Sequence, residues 1–102
     1  MNFEIINNKG VYEIHGDFTN DHTNKVETYF NNLLDTYYEV VISLKKVKQI
    51  DNKALEVMRF ISEKAKRRSK VLFVLGKGNK RIRNQFKKAN LNTIFKNDYD
   101  KQ

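Results

Sequence analysis

The chain has few side chains of the kinds that carry out catalysis or bind metals. It contains two histidines, His15 and His22, and no cysteine. No recognisable carboxylate or cysteine pattern stands beside either histidine, and two imidazoles are too few for a usual metal cluster. We expect both to be surface or helix-capping residues. The sequence therefore predicts no catalytic residue, no metal site, no cofactor and no enzymatic activity.

One glycine-containing segment raises the question of phosphate binding. Gly76-Lys77-Gly78-Asn79-Lys80 follows a predicted strand and precedes a predicted helix, which is where phosphate-binding loops lie. The segment lacks the full Gly-x-x-x-x-Gly-Lys-Ser/Thr pattern. An ordinary strand-to-helix turn is favoured, with nucleotide contact left open as a weaker alternative.

The formal net charge of +8 is unevenly distributed. Residues 1–44 carry two lysines against seven acidic residues, whereas residues 45–102 carry eighteen Lys or Arg against five acidic residues. This asymmetry permits an electrostatic partner, either nucleic acid or an acidic protein surface. The basic residues form three groups: Lys45, Lys46 and Lys48 in a predicted loop; Lys64, Lys66, Arg67, Arg68 and Lys70 at the end of a second helix; and Lys80, Arg81, Arg83, Lys87 and Lys88 on a third helix.

Nucleic-acid binding through the second and third helices is accordingly one alternative, and salt would weaken it strongly. No aromatic residues are interleaved with the charges on a strand, and no helix-turn-helix or ribonucleoprotein motif is present. Basic side chains in a last helical turn also interact favourably with the helix dipole. A solvated basic face is therefore the simpler explanation.

The hydrophobic pattern predicts an α/β fold with a mixed sheet of four or five strands and the order β-β-α-β-α-β-α. Segments 3–6 and 11–15 flank the turn-forming Asn7-Asn8-Lys9-Gly10, which indicates an amino-terminal β-hairpin. Segment 40–44 is almost wholly apolar, as expected for a strand covered on both faces, and 71–75 is similar. Three helical stripes separate and follow these strands: Val26, Tyr29, Phe30, Leu33, Leu34 and Tyr37; Leu55, Met58, Ile61 and Ala65, widened by Val57 and Phe60; and Ile82, Phe86 and Ala89. Leu91, Ile94 and Phe95 are expected to close the core.

Length and composition limit the possible organisation. At 102 residues without repeats or a long linker, 1–102 is expected to be a single domain. No apolar run reaches the length of a membrane helix, and the start MNFEIINNKG lacks the features of a signal peptide. We therefore expect a cytoplasmic protein with no membrane insertion, and the absence of cysteine agrees with a reducing compartment.

Three strings, in this order, resemble the STAS domain family, of the stand-alone type found in bacterial anti-sigma factor antagonists. YEIHGDF (12–18) is similar to the second strand of that family, and VVISLKKVKQIDNKALEVM (40–58) to its third strand, loop and second-helix start. VLFVLGKGNKRIRNQFKKANLNTIF (71–95) is similar to the fourth strand, third helix and closing Leu-x-x-x-Phe. The resemblance spans nearly the whole chain and implies a STAS-like sandwich.

In that family the second helix begins with an Asp-Ser-x-Gly-like sequence whose serine or threonine is phosphorylated by an anti-sigma kinase. Asp51 matches the aspartate, Asn52 the phosphoacceptor, Lys53 the variable position and Ala54 the small residue. Asn52 has no hydroxyl to phosphorylate, so the resemblance implies a binding site that has lost this switch. Asp and Asn are also preferred helix caps, and we expect one of the pair to cap the second helix.

The resemblance implies a non-enzymatic regulatory module that binds a protein partner constitutively, possible partners being an anti-sigma kinase or a subunit of a transporter or stress-sensing complex. An alternative function for the same fold is that of a STAS subunit of a lipid-transport ATPase or of a stress-sensing assembly. The expected partner-binding residues surround the start of the second helix: Lys45, Lys46, Lys48, Asp51, Asn52, Lys53 and Glu56. The sequence does not predict the oligomeric state.

Overall fold

The computed structural model describes residues 3–95 and residue 98. Its helices and strands are β1 (Phe3–Asn8), β2 (Val11–Phe18), a 3-10 turn (Asn20–His22), α1 (Thr23–Thr36), β3 (Glu39–Ser43), β4 (Val47–Ile50), α2 (Asn52–Arg67), β5 (Val71–Leu75), α3 (Lys80–Lys88) and a second 3-10 turn (Asn92–Phe95). The α/β class and the order of the predicted elements are confirmed. The strand β4 is an addition to that order. None of the described helices is long and apolar enough to cross a bilayer.

The five strands form one mixed sheet in which β1, β2, β3 and β5 are neighbours in that order. The β1–β2 pair is antiparallel, which confirms the predicted hairpin. The pairs β2–β3 and β3–β5 are parallel, so α2 lies in the connection between two parallel strands, as predicted. At the hairpin turn the Asn7 side chain accepts a hydrogen bond from the backbone N–H of Gly10 at 2.9 Å.

The long strand β2 pairs with two short strands in succession along one edge. Residues 11–13 pair with β3, and residues 16–18 pair with β4. Segment 44–46 leaves the sheet between these two pairings. The predicted loop that carries Lys45, Lys46 and Lys48 is therefore wrong at Lys48, which lies in β4. The residues at the two ends of this strand, Val47 and Ile50, are buried.

The core lies on one face of the sheet. Alternate strand residues, among them Ile14, Ile42 and Val74, are fully buried there. The buried apolar residues of all three helices belong to the same cluster, including Phe30, Ile61 and Phe86. Leu91 and Phe95 are also buried in it, as predicted. Two predicted stripe residues are outside the core: Tyr37 is 51% exposed and Phe60 is 37% exposed.

The opposite face of the sheet is different. The register places Val11, Val41 and Phe73 side by side on it, and each is only half-buried. None of the described helices packs its buried apolar residues there, because these residues all belong to the cluster on the first face. The expectation that β3 is covered on both faces is therefore not met by the described residues. The sequences of β3 and β5 are almost continuously hydrophobic because the outer face of the sheet is itself rich in Val, Phe and Leu.

Candidate functional site

The first two turns of α2 present three predicted binding residues to solvent. Asp51 is the residue before the helix, and its Oδ1 accepts a hydrogen bond from the backbone N–H of Ala54 at 3.0 Å. Helical periodicity then buries Ala54 and Leu55 and leaves Asn52, Lys53 and Glu56 exposed; we call these three residues the α2 face. The expected cap is confirmed, with Asp51 as the capping residue.

Asp51 also makes a contact that spans 31 positions of the sequence. Its Oδ2 accepts a hydrogen bond from the backbone N–H of Asn20 at 2.8 Å. One carboxylate therefore links the start of α2 to the turn that precedes α1. Both oxygens are used and the residue is half-buried, so Asp51 positions the α2 face instead of projecting from it.

The predicted lysines lie next to the α2 face, on segment 44–46 and strand β4. Lys45, Lys46 and Lys48 are exposed. The backbone N–H of Val47 donates to the carbonyl of Leu44 at 3.1 Å, which closes a tight turn. The backbone N–H of Gly16 donates to the carbonyl of Lys46 at 3.0 Å, so the turn is also bonded to β2.

Asn79 holds this turn from the other side, a role that sequence reasoning did not find. Its side-chain amide donates to the carbonyls of Leu44, at 3.2 Å, and Val47, at 3.0 Å. Its Oδ1 faces the backbone N–H of Ile82 at 3.5 Å, in the capping position of α3. An asparagine directly before a helix is a capping signal that the sequence does contain. Its hydrogen bonds to the carbonyls of Leu44 and Val47 join distant parts of the chain, so the sequence alone could not predict them.

These contacts bring α3 beside the turn and create an open groove of about 930 Å³. Uncharged residues line part of it. Its charged lining consists of five cationic side chains and one carboxylate: Lys45, Lys46, Lys48, Lys80, Arg81 and Asp17. The guanidinium of Arg81 donates to the carbonyl of Lys48 at 3.4 Å. We refer to this feature as the basic groove. The sequence alone places Lys80 and Arg81 in the nucleic-acid alternative and the lysines of the turn among the partner-binding residues.

The backbone of the glycine-containing segment is occupied by a carboxylate of the chain itself. Asp98 Oδ2 accepts hydrogen bonds from the backbone N–H groups of Gly76, at 2.8 Å, and Lys77, at 2.7 Å. Asp98 is 2% exposed. Segment 76–79 is thus a strand-to-helix turn, as favoured, and two of its backbone amides already have an acceptor within the protein.

The histidines lie in structural contacts. His15 Nε2 is 2.8 Å from Glu13 Oε1, and this hydrogen bond lowers the pKa of Glu13, with a smaller contribution from Asn8. His22 stacks on Phe3, with ring centroids 4.2 Å apart, and its Nδ1 is 2.9 Å from the carbonyl of Asp17. Within residues 3–95 and 98, no three His, Cys, Asp or Glu side chains are grouped so that they could hold a metal ion.

The basic residues at the end of α2 are remote from the groove and are partly used within the protein. The 16 residues of α2 correspond to about 24 Å of helix. Lys64 is buried, donates to Asn31 and pairs with Asp35 at 2.8 Å. Arg68 also approaches Asp35, at 3.4 Å. The hydrogen bond from Lys64 lowers the pKa of Asp35, with smaller contributions from the charges of Lys64 and Arg68.

Comparison with known proteins gives matches in structure but not in sequence. No protein-family model and no curated protein matches the chain. The solved structure of the anti-sigma factor antagonist SpoIIAA in its unphosphorylated form superposes with a TM-score of 0.57 at 6% identity, over 72% of this chain and 71% of that one. A sulfate transporter family protein from Wolinella succinogenes superposes with a TM-score of 0.65 at 19% identity, over 88% of this chain and 75% of that one. The likeness confirms the fold that the sequence resemblance predicted: the chain has the STAS fold.

Proposed function

We propose that this protein is a non-enzymatic regulatory module that binds a protein partner constitutively through the α2 face and the adjacent turn at Lys45 and Lys46. The observation that carries the proposal is the exposed position of Asn52 in the first turn of α2. This is the position at which the STAS resemblance implies a phosphoacceptor. A side-chain amide offers no hydroxyl for phosphoryl transfer, so the surface stays in one charge state.

The physical basis of the missing switch is electrostatic. A phosphoryl group would add about −1.5 to −2 charges, together with three acceptor oxygens, to a surface that contacts a partner. The helix itself tolerates negative charge at its amino terminus, because the helix dipole is positive there. The penalty of phosphorylation would therefore fall on the partner interface. Asn52 avoids that penalty permanently.

The comparisons suggest two kinds of partner. SpoIIAA is an anti-sigma factor antagonist, and by analogy our first candidate is an anti-sigma kinase in the bacterial cytoplasm. The second candidate is a subunit of a transporter or stress-sensing complex, including a lipid-transport ATPase. It is favoured by the higher TM-score and the 88% coverage of the match to the sulfate transporter family protein. A structural subunit needs no phosphoacceptor, which fits Asn52 equally well.

The test uses the wild-type protein and two matched variants as bait in lysate from the native cell, followed by mass spectrometry. Asn52→Asp places a negative charge on the α2 face, and Asn24→Asp places the same charge on an exposed position in the first turn of α1. We expect the wild type and Asn24→Asp to retain one specific protein, and Asn52→Asp to lose most of it. Equal recovery with all three baits would place the interface elsewhere.

A second measurement addresses the switch itself. Incubation with the recovered kinase and ATP, followed by phosphosite mapping, is expected to leave residue 52 unmodified. Ser43 is 4% exposed, so it is a poor alternative acceptor, whereas Ser69 is exposed. Phosphate on Ser69 that releases the partner would overturn the constitutive part of the proposal.

A further inference from the structure

We propose that the basic groove receives a segment of the protein partner that is rich in aspartate and glutamate. The inference rests on the proposed function and specifies the chemistry of the partner. It adds Lys80 and Arg81, from the start of α3, to the surface on which the partner is bound. The groove and the α2 face would then contact one partner at two adjoining places.

The first argument is the concentration of positive charge in the groove. Lys46 and Lys48 come from the turn and β4, and Lys80 from α3, so three separate parts of the chain contribute cations to one groove. No carboxylate of the described residues lies within salt-bridge distance of these three lysines. Like charges that line one groove repel one another, and at physiological salt this repulsion is only partly screened over distances below about 8 Å. An anionic ligand would relieve that repulsion.

The second argument is that the groove is already formed by bonds within the protein. Asn79 joins its two walls through the carbonyls of Leu44 and Val47 while it caps α3. Arg81 is bonded to the carbonyl of Lys48 across the groove. A partner segment would meet a preformed surface, so little of the binding free energy would be lost in ordering it.

The third argument favours an acidic polypeptide over nucleic acid. Asp17 and Gln49 line the same groove, and their side chains can accept hydrogen bonds from the backbone N–H groups of a polypeptide, which nucleic acid lacks. The large apolar side chains that are exposed in the described chain, Tyr37, Tyr38 and Phe60, do not line the groove. Stacking platforms for unpaired bases are therefore missing beside the described cations. The basic end of α2 lies a helix length away and does not extend the groove.

The test measures binding of a short fluorescein-labelled peptide of alternating glutamate and serine, by fluorescence anisotropy. Two double variants remove equal charge: Lys46→Glu with Lys48→Glu in the groove, and Lys66→Glu with Arg67→Glu at the far end of α2. All four residues are exposed, and circular dichroism will confirm that both variants are folded. We expect the groove variant to bind about tenfold or more weakly than the wild type, and the control variant to change less than about threefold.

Other outcomes overturn the inference. Equal losses in the two variants would show that the peptide senses only net charge, and no binding by the wild type at low salt would exclude an acidic ligand. Tighter binding of an oligothymidine than of the peptide, lost in the groove variant, would assign the groove to nucleic acid. The pull-down described above is repeated with a Lys48→Glu and Lys80→Glu double variant, because these two residues belong to the groove alone. Partner recovery that depends on Asn52 but not on Lys48 and Lys80 would refute the groove and leave the proposed function intact.

Discussion

The carboxylate of Asp98 accepts a hydrogen bond from the backbone N–H of Gly76 at 2.8 Å, although the two residues are 22 positions apart. Both residues are buried. The contact ties the segment after the last 3-10 turn to the end of β5, next to the wall of the basic groove. A described residue close to the end of the sequence thus helps to position the candidate site.

Replacing Asp98 with alanine is expected to lower the free energy of unfolding by about 1–3 kcal/mol, because the amides of Gly76 and Lys77 lose their acceptor in a buried environment. Asp98→Asn keeps one oxygen acceptor and is expected to lose less. Urea unfolding of the three proteins measures the difference. Identical unfolding midpoints would mean that water replaces the carboxylate at no cost.

The two hydrogen bonds of Asp51 can be separated by mutation. Asp51→Ser retains a capping oxygen for the N–H of Ala54, but its shorter side chain does not reach Asn20. Asp51→Ala removes both contacts and is expected to cost about 1–3 kcal/mol of unfolding free energy, with Asp51→Ser between it and the wild type.

Chemical denaturation with a two-state fit provides these values. Amide hydrogen exchange at Asn20 offers an independent check, since exchange there should accelerate in both Asp51 variants. A serine variant as unstable as the alanine variant would show that the contact with Asn20, and not the cap, dominates.

Gly76 and Gly10 form a matched pair for testing close packing beside the site. Both have positive φ angles, +127° and +92°, which strain any residue with a Cβ. A Cβ at Gly76 would lie 3.2 Å from the backbone carbon of Leu44, whereas a Cβ at Gly10 would meet no atom within 4 Å. Gly10→Ala should cost about 1–2 kcal/mol of stability, and Gly76→Ala should cost clearly more. Thermal unfolding by circular dichroism compares them, and equal losses would contradict the close approach to Leu44.

The ion pair between Asp35 and Lys64 predicts a pH dependence of stability. The pKa of Asp35 is lowered in the folded protein, first by the hydrogen bond from Lys64. Because the pKa of Asp35 is lower in the folded than in the unfolded protein, the ionised carboxylate stabilises the fold at pH values above the unfolded pKa of about 4. This stabilisation is lost as the pH falls through the pKa of the folded protein. Asp35→Asn should therefore unfold at lower urea than the wild type near neutral pH, and the difference should disappear in acid.

Urea midpoints measured across a pH series test this expectation. Asp21→Asn is the control, since Asp21 is exposed and forms no ion pair with the described residues. The difference in urea midpoint between Asp21→Asn and the wild type should be the same across the pH series. A gap between Asp35→Asn and the wild type that persists unchanged at low pH would show that the carboxylate charge is not responsible.

Local patterns in the sequence predicted the helices, the hairpin and the exposed start of α2. Strand β4 was missed because its buried residues, Val47 and Ile50, are three apart and do not alternate with period two. Its strand conformation depends on pairing with β2, and a pairing between distant segments cannot be predicted from a local sequence pattern. The basic groove was missed for the same reason: Lys80 joins the lysines of the turn only after the strands and α3 are packed together.

The pairing of β2 with two successive strands has a kinetic consequence. Because segment 44–46 is bonded to β2 at one side and to Asn79 at the other, its lysines start from a fixed backbone, and association need not wait for a disordered loop to fold. Collision with an oppositely charged partner should then be governed by long-range attraction, with rate constants that fall steeply as ionic strength rises. The lifetimes of complexes with different partners would instead depend on the close contacts at each interface.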